Sequence, residues 1–218
     1  MTERSSNVAA PWGAEQRLIL ASSSPRRRQL MQSAGYVFDV VAPDASVECG
    51  VCSSLTPPEL VARLAFRKAE DVMRRVESGM IIAADTVASC RGQILGKPAD
   101  REHARRMLQM LSGTEHAVWS GLCLWSVLEQ RCIVDVSCTQ LSMQPLDGDA
   151  IESYLDTNLW QGKAGAFGYQ DGNDWLRILE GSASNVVGLP MERLTELLQH
   201  FDSQAQAIDA AVKGNQDR

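Results

Sequence analysis

The densest group of polar side chains follows the short apolar run Leu18–Ala21 and reads Ser22-Ser23-Ser24-Pro25-Arg26-Arg27-Arg28. A serine followed by a proline is typical of a helix N-terminus, so we predict that a helix begins at Pro25. The first turn of a helix offers free backbone N–H groups and the positive end of the helix dipole, and hydroxyl and guanidinium groups also donate to phosphate oxygens. The segment indicates either a phosphate site or a solvated basic turn.

Two lysines lie at positions where the surrounding sequence restricts their conformation. Lys68 falls within the apolar stripe of a helix predicted over residues 58–76, and an ammonium group aimed inward is costly unless an anion meets it. The anion could belong to a ligand or to a structural carboxylate, or the long side chain could pass the stripe to reach water. Lys97 lies between a glycine and a proline, which indicates either a phosphate contact or a surface hairpin.

Carboxylate and amide side chains supply the other candidates. Asp85-Thr86 follows the apolar run Met80–Ala84, and a carboxylate at the end of a buried strand can hold Mg²⁺ or orient a water, or simply form a turn. Glu48 lies in a loop and by itself is an ordinary exposed glutamate. Gln170 belongs to the glycine-rich segment 162–173, which permits close approach of its backbone to a ligand or forms a flexible lid.

Strands and helices must position these groups, and in the first half of the chain they alternate. We predict strands over 18–21, 36–41, 80–84, 117–127, 132–143 and 175–179, and helices over 25–34, 58–76, 99–111, 149–159 and 190–201. The two long β-rich segments in the middle predict an antiparallel pair, so the expected class is mixed α/β. His103 and His116 are expected to be structural or solvated.

Composition excludes several classes of protein. The chain has 218 residues, 44% of them hydrophobic, and a net charge of −6, so it can bury a core and is a poor candidate for nucleic-acid or anionic-membrane binding. It has no apolar run long enough for a membrane span and no secretory signal, which predicts a cytoplasmic location and reduced cysteines. Cys49-Gly-Val-Cys52 has no second pair of matching spacing, so no zinc site is expected. Together the residues predict an enzyme or binder for a phosphate-containing ligand.

Several sequence blocks closely resemble the Maf family. They occur in the family's order between about residues 18 and 200, and they are Leu20-Ala-Ser-Ser-Ser-Pro-Arg-Arg27, Arg63-Leu-Ala-Phe-Arg-Lys68-Ala69, Ala83-Ala-Asp85-Thr86-Val87, Ile94-Leu-Gly-Lys97-Pro98, Lys163-Ala-Gly-Ala-Phe-Gly-Tyr-Gln170 and Asn185-Val-Val-Gly-Leu-Pro190. The resemblance implies an elongated, mixed-sheet α/β fold like that of the inosine triphosphatases, with two lobes and a central cleft. It also implies a single catalytic domain at 17–201, a flexible N-terminal arm at 1–16 and a polar C-terminal tail at 202–218.

The resemblance also implies an activity. Maf proteins are cytoplasmic nucleoside triphosphate pyrophosphatases that use a divalent metal, Mg²⁺ or Mn²⁺, and release a nucleoside monophosphate and pyrophosphate. Asp85 matches the proton acceptor and, with Glu48, the acidic groups near the metal. The positions tied to base preference are matched by Arg26, Thr86 and Gln170, and further polar groups of the pocket by Ser22, Ser24, Arg27, Lys68 and Lys97.

The substrate class follows from two of these blocks. Ala84-Asp85-Thr86 and Tyr169-Gln170 resemble the subfamily that acts on dTTP and UTP, whereas the 7-methyl-GTP subfamily has Ser-Asp-Gln at the first position. Two alternatives remain, a nucleotide-binding regulator of septum formation with little turnover and a pyrophosphatase of the 7-methyl-GTP type. The expected partner is a nucleoside triphosphate, with neither nucleic acid nor membrane, and the family is compatible with a homodimer.

Overall fold

A computed structural model describes residues 17–48, 55–172 and 174–201. The strands are β1 Leu18–Ala21, β2 Phe38–Val40, β3 Met80–Cys90, β4 Gln93–Leu95, β5 Glu115–Ser126, β6 Arg131–Met143 and β7 Leu176–Glu180. The helices are α1 Pro25–Ser33, α2 Pro57–Met73, α3 Arg101–Leu111, α4 Gly148–Asp156, α5 Ala183–Val187 and α6 at 191–201. The predicted arm at 1–16, the tail at 202–218 and the Cys49–Cys52 pair lie outside the described residues.

Most predicted elements are confirmed. α1 begins at Pro25 as predicted, although Ser24 makes no capping hydrogen bond with its side chain, whereas the helices α2 and α3 have side-chain contacts at their N-termini. The backbone N–H of Thr56 donates to Glu59 at 2.8 Å before α2, and the carboxylate of Asp100 accepts from the backbone N–H of His103 at 2.7 Å at the start of α3.

Several expectations were wrong. The helices predicted over 58–76 and 149–159 end at Met73 and Asp156, and β4 and α5 were not predicted. The strand predicted to end before Asp85 continues to Cys90, and the strand predicted over 36–41 contains only Phe38–Val40.

The strands form one mixed sheet in the order β2-β1-β3-β5-β6-β7, with β4 paired to β3 outside this path. β1 is parallel to both β2 and β3, whereas β3, β5, β6 and β7 pair antiparallel. The predicted mixed α/β class and the predicted antiparallel pair are therefore confirmed. No helix within the described ranges is long and apolar enough to cross a membrane.

One edge of β3 is open in its middle. β1 pairs with Met80 to Ala83, and β4 pairs with Ala88 to Cys90. β5 pairs along the other edge of β3 for nearly its full length, so β1 and β4 must share the first edge. Asp85 and Thr86 lie in the gap between these two short neighbours, where neither strand covers them.

The gap also separates two lobes with their own cores. In the first lobe, Leu20 and Ile82 pack on the face covered by α1 and α6, while Ile19 and Ile81 pack on the opposite face beneath α2. In the second lobe, the far ends of β3, β5 and β6 pack against α3 and α4 around residues such as Leu108. The long strands β3 and β5 join the lobes, as the predicted two-lobed fold requires.

α2 approaches the sheet most closely at Gly121, the residue of β5 that pairs with Asp85. A Cβ atom added at Gly121 would lie 2.2 Å from the carbonyl oxygen of Val61 in α2. Only glycine leaves room for that backbone contact. The same approach brings α2 close enough to the sheet for Lys68 to reach Asp85.

We expect Gly121→Ala to lower the free energy of unfolding by about 1–3 kcal/mol, since the backbone of α2 must move to admit the methyl group. Urea titration measures this change. Gly148→Ala is the matched control, because no atom lies within 4 Å of the added Cβ at that position. Equal losses of stability in the two variants would contradict the close contact.

His116 is a core residue, as predicted. Its ring is buried, packs edge-on against Phe167 with centroids 5.4 Å apart, and leaves Nε2 without a hydrogen-bond partner among the described residues. Burial lowers the pKa of His116 below its usual value, and a weak contact with the carbonyl oxygen of Thr114 opposes the shift only in part. The folded protein therefore holds this imidazole neutral.

The buried imidazole predicts a dependence of stability on pH. A histidine whose pKa is lower in the folded state contributes stability that is present above its unfolded pKa, about 6.5, and is lost as the pH falls. The free energy of unfolding should therefore fall less steeply between about pH 8 and about pH 5 in His116→Gln than in the wild type. Identical slopes in the variant and the wild type would contradict the prediction.

Candidate active site

A cleft of about 480 Å³ opens at the gap in the edge of β3. Its lining includes every residue that the sequence singled out, although they come from separate parts of the chain. These residues are Ser22, Ser24, Arg26, Arg27, Glu48, Lys68, Asp85, Thr86, Lys97 and Gln170. The structure thus places the ten candidates in one site.

Lys68 is the buried centre of this site. The predicted inward direction of its side chain is confirmed, and its ammonium group lies 2.6 Å from Oδ1 of Asp85 and 2.7 Å from Oε1 of Glu48. The side chains of Lys68 and Asp85 are 6% and 12% exposed, whereas that of Glu48 is 45% exposed. The anion that the sequence required is therefore supplied by two carboxylates, one beneath the cleft and one at its rim.

Glu48 is held in a positive field. Burial by itself would raise its pKa, but the hydrogen bond from Lys68 and the charges of Lys68, Lys97 and Arg27 outweigh burial and lower it. Lys97 lies 3.9 Å from Oε2 of Glu48, and its side chain is 64% exposed. Lys97 is thus free to turn toward a ligand, whereas Lys68 is fixed.

Arg27 is fixed on the opposite face of the sheet from Lys68. Its guanidinium group donates to the carbonyl oxygen of Gly188 at 2.7 Å, to Oγ1 of Thr86 at 3.1 Å and to Oγ of Ser22 at 3.3 Å. Burial lowers the pKa of Arg27, and the charge of Asp85 opposes that shift. These contacts tie the first turn of α1, to which Arg27 belongs, to β3 and to the segment that follows α5.

The hydroxyl of Thr86 is occupied by the protein. Besides the contact with Arg27, its Oγ1 lies 2.8 Å from Oγ of Ser120 and 3.2 Å from the carbonyl oxygen of Gly188. Ser120 in turn donates to the carbonyl oxygen of Asn185 at 3.3 Å. Ser120 was not predicted from the sequence. Its pairing with Thr86 across β3 and β5 is the signal that identifies it.

The segment 162–172 forms the far wall of the cleft. Arg26 donates to the carbonyl oxygen of Gly162 at 2.8 Å, and Gly165 donates through its backbone N–H to Gly96 at 3.0 Å. Gln170 is exposed within this wall, and its side-chain amide makes no hydrogen bond with the described residues. The wall is tied by these contacts to both α1 and the chain before Lys97.

A buried ion pair within this wall was also missed. The ammonium group of Lys163 contacts both carboxylate oxygens of Asp171. The two residues lie eight positions apart in a loop with no hydrophobic periodicity, so the sequence carries no signal that pairs them beyond one acid and one base among glycines.

The donors for a metal ion are few. Across the described ranges, no group of three or more histidine, cysteine, aspartate or glutamate side chains could hold a metal. Asp85 and Glu48 are nevertheless gathered around one ammonium group at the floor and rim of the cleft. Mg²⁺ is commonly held by one or two carboxylates together with substrate phosphates. The two carboxylates fit that mode of binding, in which the ligand completes the site.

Comparison with known proteins assigns the family. The family described as "Maf-like protein" matches residues 17–201. A protein named dTTP/UTP pyrophosphatase from Rhodopirellula baltica is 57% identical over 192 residues, which cover 88% of this chain and 85% of that protein. Another of the same name, from Pelotomaculum thermopropionicum, is 40% identical and covers 84% of this chain and 96% of its own. A solved HAM1 protein from Coxiella burnetii superposes with a TM-score of 0.47 at 15% identity, over 85% of this chain and 99% of that one.

Proposed function

The chain belongs to the Maf family, and from that membership we propose that it is a pyrophosphatase that hydrolyses dTTP and UTP to the nucleoside monophosphate and pyrophosphate. One observation carries the proposal. The lining of the cleft at the open edge of β3 includes the cations Arg26, Arg27, Lys68 and Lys97 and the carboxylates Glu48 and Asp85. A triphosphate needs the cations and a hydrolytic water needs a carboxylate. The names of the relatives support the pyrimidine substrate.

The phosphates would bind at the open edge of the sheet, between the groups that project from its two faces. Arg27 and the first turn of α1 offer a fixed guanidinium group and backbone N–H groups, which bind phosphate oxygens without reorganisation. Lys97 is mobile enough to follow the charge that develops on the leaving pyrophosphate. Arg27 is already oriented in the free protein, because three hydrogen bonds hold its side chain. The entropic cost of orienting it is therefore not incurred on binding.

Asp85 is the proposed proton acceptor. It lies at the floor of the cleft, and only Oδ1 is used by Lys68, so Oδ2 remains for a water. In the proposed reaction, that water attacks the α-phosphorus and its proton moves to Oδ2 of Asp85. The bond between the α-phosphorus and the oxygen that bridges to the β-phosphate breaks, and pyrophosphate leaves. Lys68 balances the charge of Asp85 and fixes the direction of its carboxylate.

A divalent cation is part of the proposal. Asp85 and Glu48 would hold it together with oxygens of the substrate, and when bound it supplies positive charge that offsets the charge of the phosphates. Lys68 keeps the two carboxylates close to each other in the free protein, where their like charges would otherwise repel.

The base would lie against the wall 162–172. Gln170 offers both a donor and an acceptor, which match the edge of a uracil or thymine ring. Thr86 contributes indirectly, because its hydroxyl is engaged by Arg27 and Ser120. Arg26 shapes the same side of the cleft through its hydrogen bond to Gly162.

We expect Asp85→Asn to lose at least about 100-fold in turnover of dTTP and UTP, the usual scale for a lost general base. The fold should persist, because Glu48 still pairs with Lys68 and asparagine keeps the shape of the side chain. Pyrophosphate release with Mg²⁺ measures the effect, and a thermal melt checks the fold.

Asp156→Asn is the matched control for this variant. It removes a carboxylate that pairs with Arg101 on the surface of α4, and it should leave turnover unchanged. Near-normal turnover in Asp85→Asn would rule out Asp85 as the proton acceptor. Nucleotide binding by the wild type without pyrophosphate release would instead favour a regulatory role.

Gln170→Ala should change the ranking of substrates more than the maximal rate. The loss of one or two hydrogen bonds to the base should lower kcat/KM for dTTP and UTP by up to about tenfold relative to CTP, mainly through KM. The comparison of dTTP, UTP, CTP, dATP and GTP in the wild type and the variant measures this. An unchanged ranking would count against base recognition by Gln170.

A further inference from the structure

A cluster of three buried polar side chains lies in and behind the wall of the cleft, whose lining includes Lys163, and the reaction described above does not use it. Lys163 contacts both carboxylate oxygens of Asp171, and the hydroxyl of Tyr154 donates to Oδ2 of Asp171 at 2.7 Å. The side chains of Lys163 and Asp171 are only 9% and 5% exposed, and Tyr154 is equally buried. Burial, together with the hydrogen bond to Asp171 and its charge, raises the pKa of Tyr154, so its hydroxyl stays a donor.

The ion pair passes directly beneath the backbone of the wall. A Cβ atom added at Gly168 would lie 2.4 Å from Nζ of Lys163 and 2.5 Å from Oδ2 of Asp171. Gly168 is therefore the point where the chain crosses the pair. The segment between Lys163 and Asp171 is closed into a ring by its own side chains, and Tyr154 attaches that ring to α4.

Stability alone does not account for such a cluster. Taking two charges out of water costs about as much as their attraction returns, so a buried ion pair often contributes no more than a well-packed apolar group. Its hydrogen bonds nevertheless impose one geometry, because any other leaves a buried charge without a partner. We therefore expect the cluster to fix the shape of the wall more than it stabilises the fold.

The residue whose position depends on that shape is Gln170. It directly precedes Asp171, and its exposed amide makes no hydrogen bond with the described residues. Nothing but the backbone therefore directs it into the cleft. The other end of the ring is held as well, because Arg26 donates to Gly162, next to Lys163.

We propose that Lys163, Asp171 and Tyr154 are positioning residues for base selectivity, which hold the wall 163–171 so that Gln170 meets the edge of a pyrimidine base. The inference rests on the proposed function of the cleft. It adds residues that reach Gln170 only through the backbone, although Lys163 also lines the cleft and the charge of Asp171 acts on Arg26.

The test uses two nearly isosteric variants of the full chain. Tyr154→Phe removes one hydroxyl and leaves the ion pair, and Asp171→Asn removes the carboxylate charge. The control is Glu152→Gln on the same helix as Tyr154. Glu152 pairs with Arg101 and Arg105 on the surface, so its loss perturbs α4 without touching the wall.

Two readouts separate positioning from a structural role. The first is pyrophosphate release from UTP and CTP, split into kcat and KM. The second is equilibrium binding of the α,β-methylene analogues of UTP and CTP, which cannot be cut at that bond, so this readout is independent of turnover. Measurements are made at a temperature at which thermal melts show every variant folded.

In Tyr154→Phe, the preference for UTP over CTP should fall about threefold to tenfold, the scale of one lost hydrogen bond. Asp171→Asn should lose more, because it leaves Lys163 buried without its partner. In both variants KM should carry the change, kcat should move by less than about threefold, and the analogues should show the same loss of preference. Glu152→Gln should keep the wild-type preference in both readouts.

The inference is overturned if the folded variants melt at lower temperature but keep the wild-type preference, because the cluster would then be structural only. It is also overturned if kcat falls while KM and analogue binding do not change. Failure of the proposed function looks different, since the wild type would bind the analogues and release no pyrophosphate. The binding preference would still test the cluster in that case, and a wild type that binds neither analogue would overturn both proposals.

Discussion

The architecture of the site depends on one buried ammonium group. Lys68 lies on the face of α2 that packs against the sheet, and burial of its charge is tolerated only because Asp85 and Glu48 meet it within 2.7 Å. Removing one partner of a buried pair typically costs about 3–5 kcal/mol. The lysine therefore ties α2 to β3 and draws the loop that carries Glu48 to the rim of the cleft. Gly121 makes this possible, because it lets the backbone of α2 lie against β5 beside Asp85.

The cleft itself is a consequence of strand length. β1 ends at Ala21 and β4 begins pairing only at Ala88, so neither reaches the middle of β3. Side chains alternate across a strand, and Asp85 and Thr86 consequently project to opposite faces of the sheet. One meets Lys68 beneath α2 and the other meets Arg27 beneath α1. Neighbouring residues at one open edge thus organise cations on both faces, where a triphosphate can be held between them.

Most helices could be predicted from the sequence, whereas the interrupted edge of β3 and the contacts within the loops could not. Caps and apolar periodicity mark α1, α2 and α3, and the inward direction of Lys68 follows from the same periodicity. The end of β3 was predicted too early, because an aspartate and a threonine after an apolar run resemble the end of a strand. Here the strand continues past them, and the two residues lie where neither neighbouring strand covers its edge. The resemblance to a family brought distant residues such as Arg27 and Gln170 together, which local patterns could not do. The contact between Lys163 and Asp171 could not be predicted from the sequence, because loop residues show no hydrophobic periodicity.

The two buried ion pairs of the cleft are anchored on different kinds of structure. Lys68 and Asp85 stand on a helix and a strand, whose backbones are fixed by their own hydrogen bonds, and this suits a reaction that tolerates little displacement. Lys163 and Asp171 stand in a loop, which has no such support and must be closed by its side chains. A loop can change its sequence without disturbing the sheet. In the proposed function, recognition of the base can therefore vary while the groups proposed to face the phosphates keep their positions, because the two ion pairs are anchored in different parts of the fold.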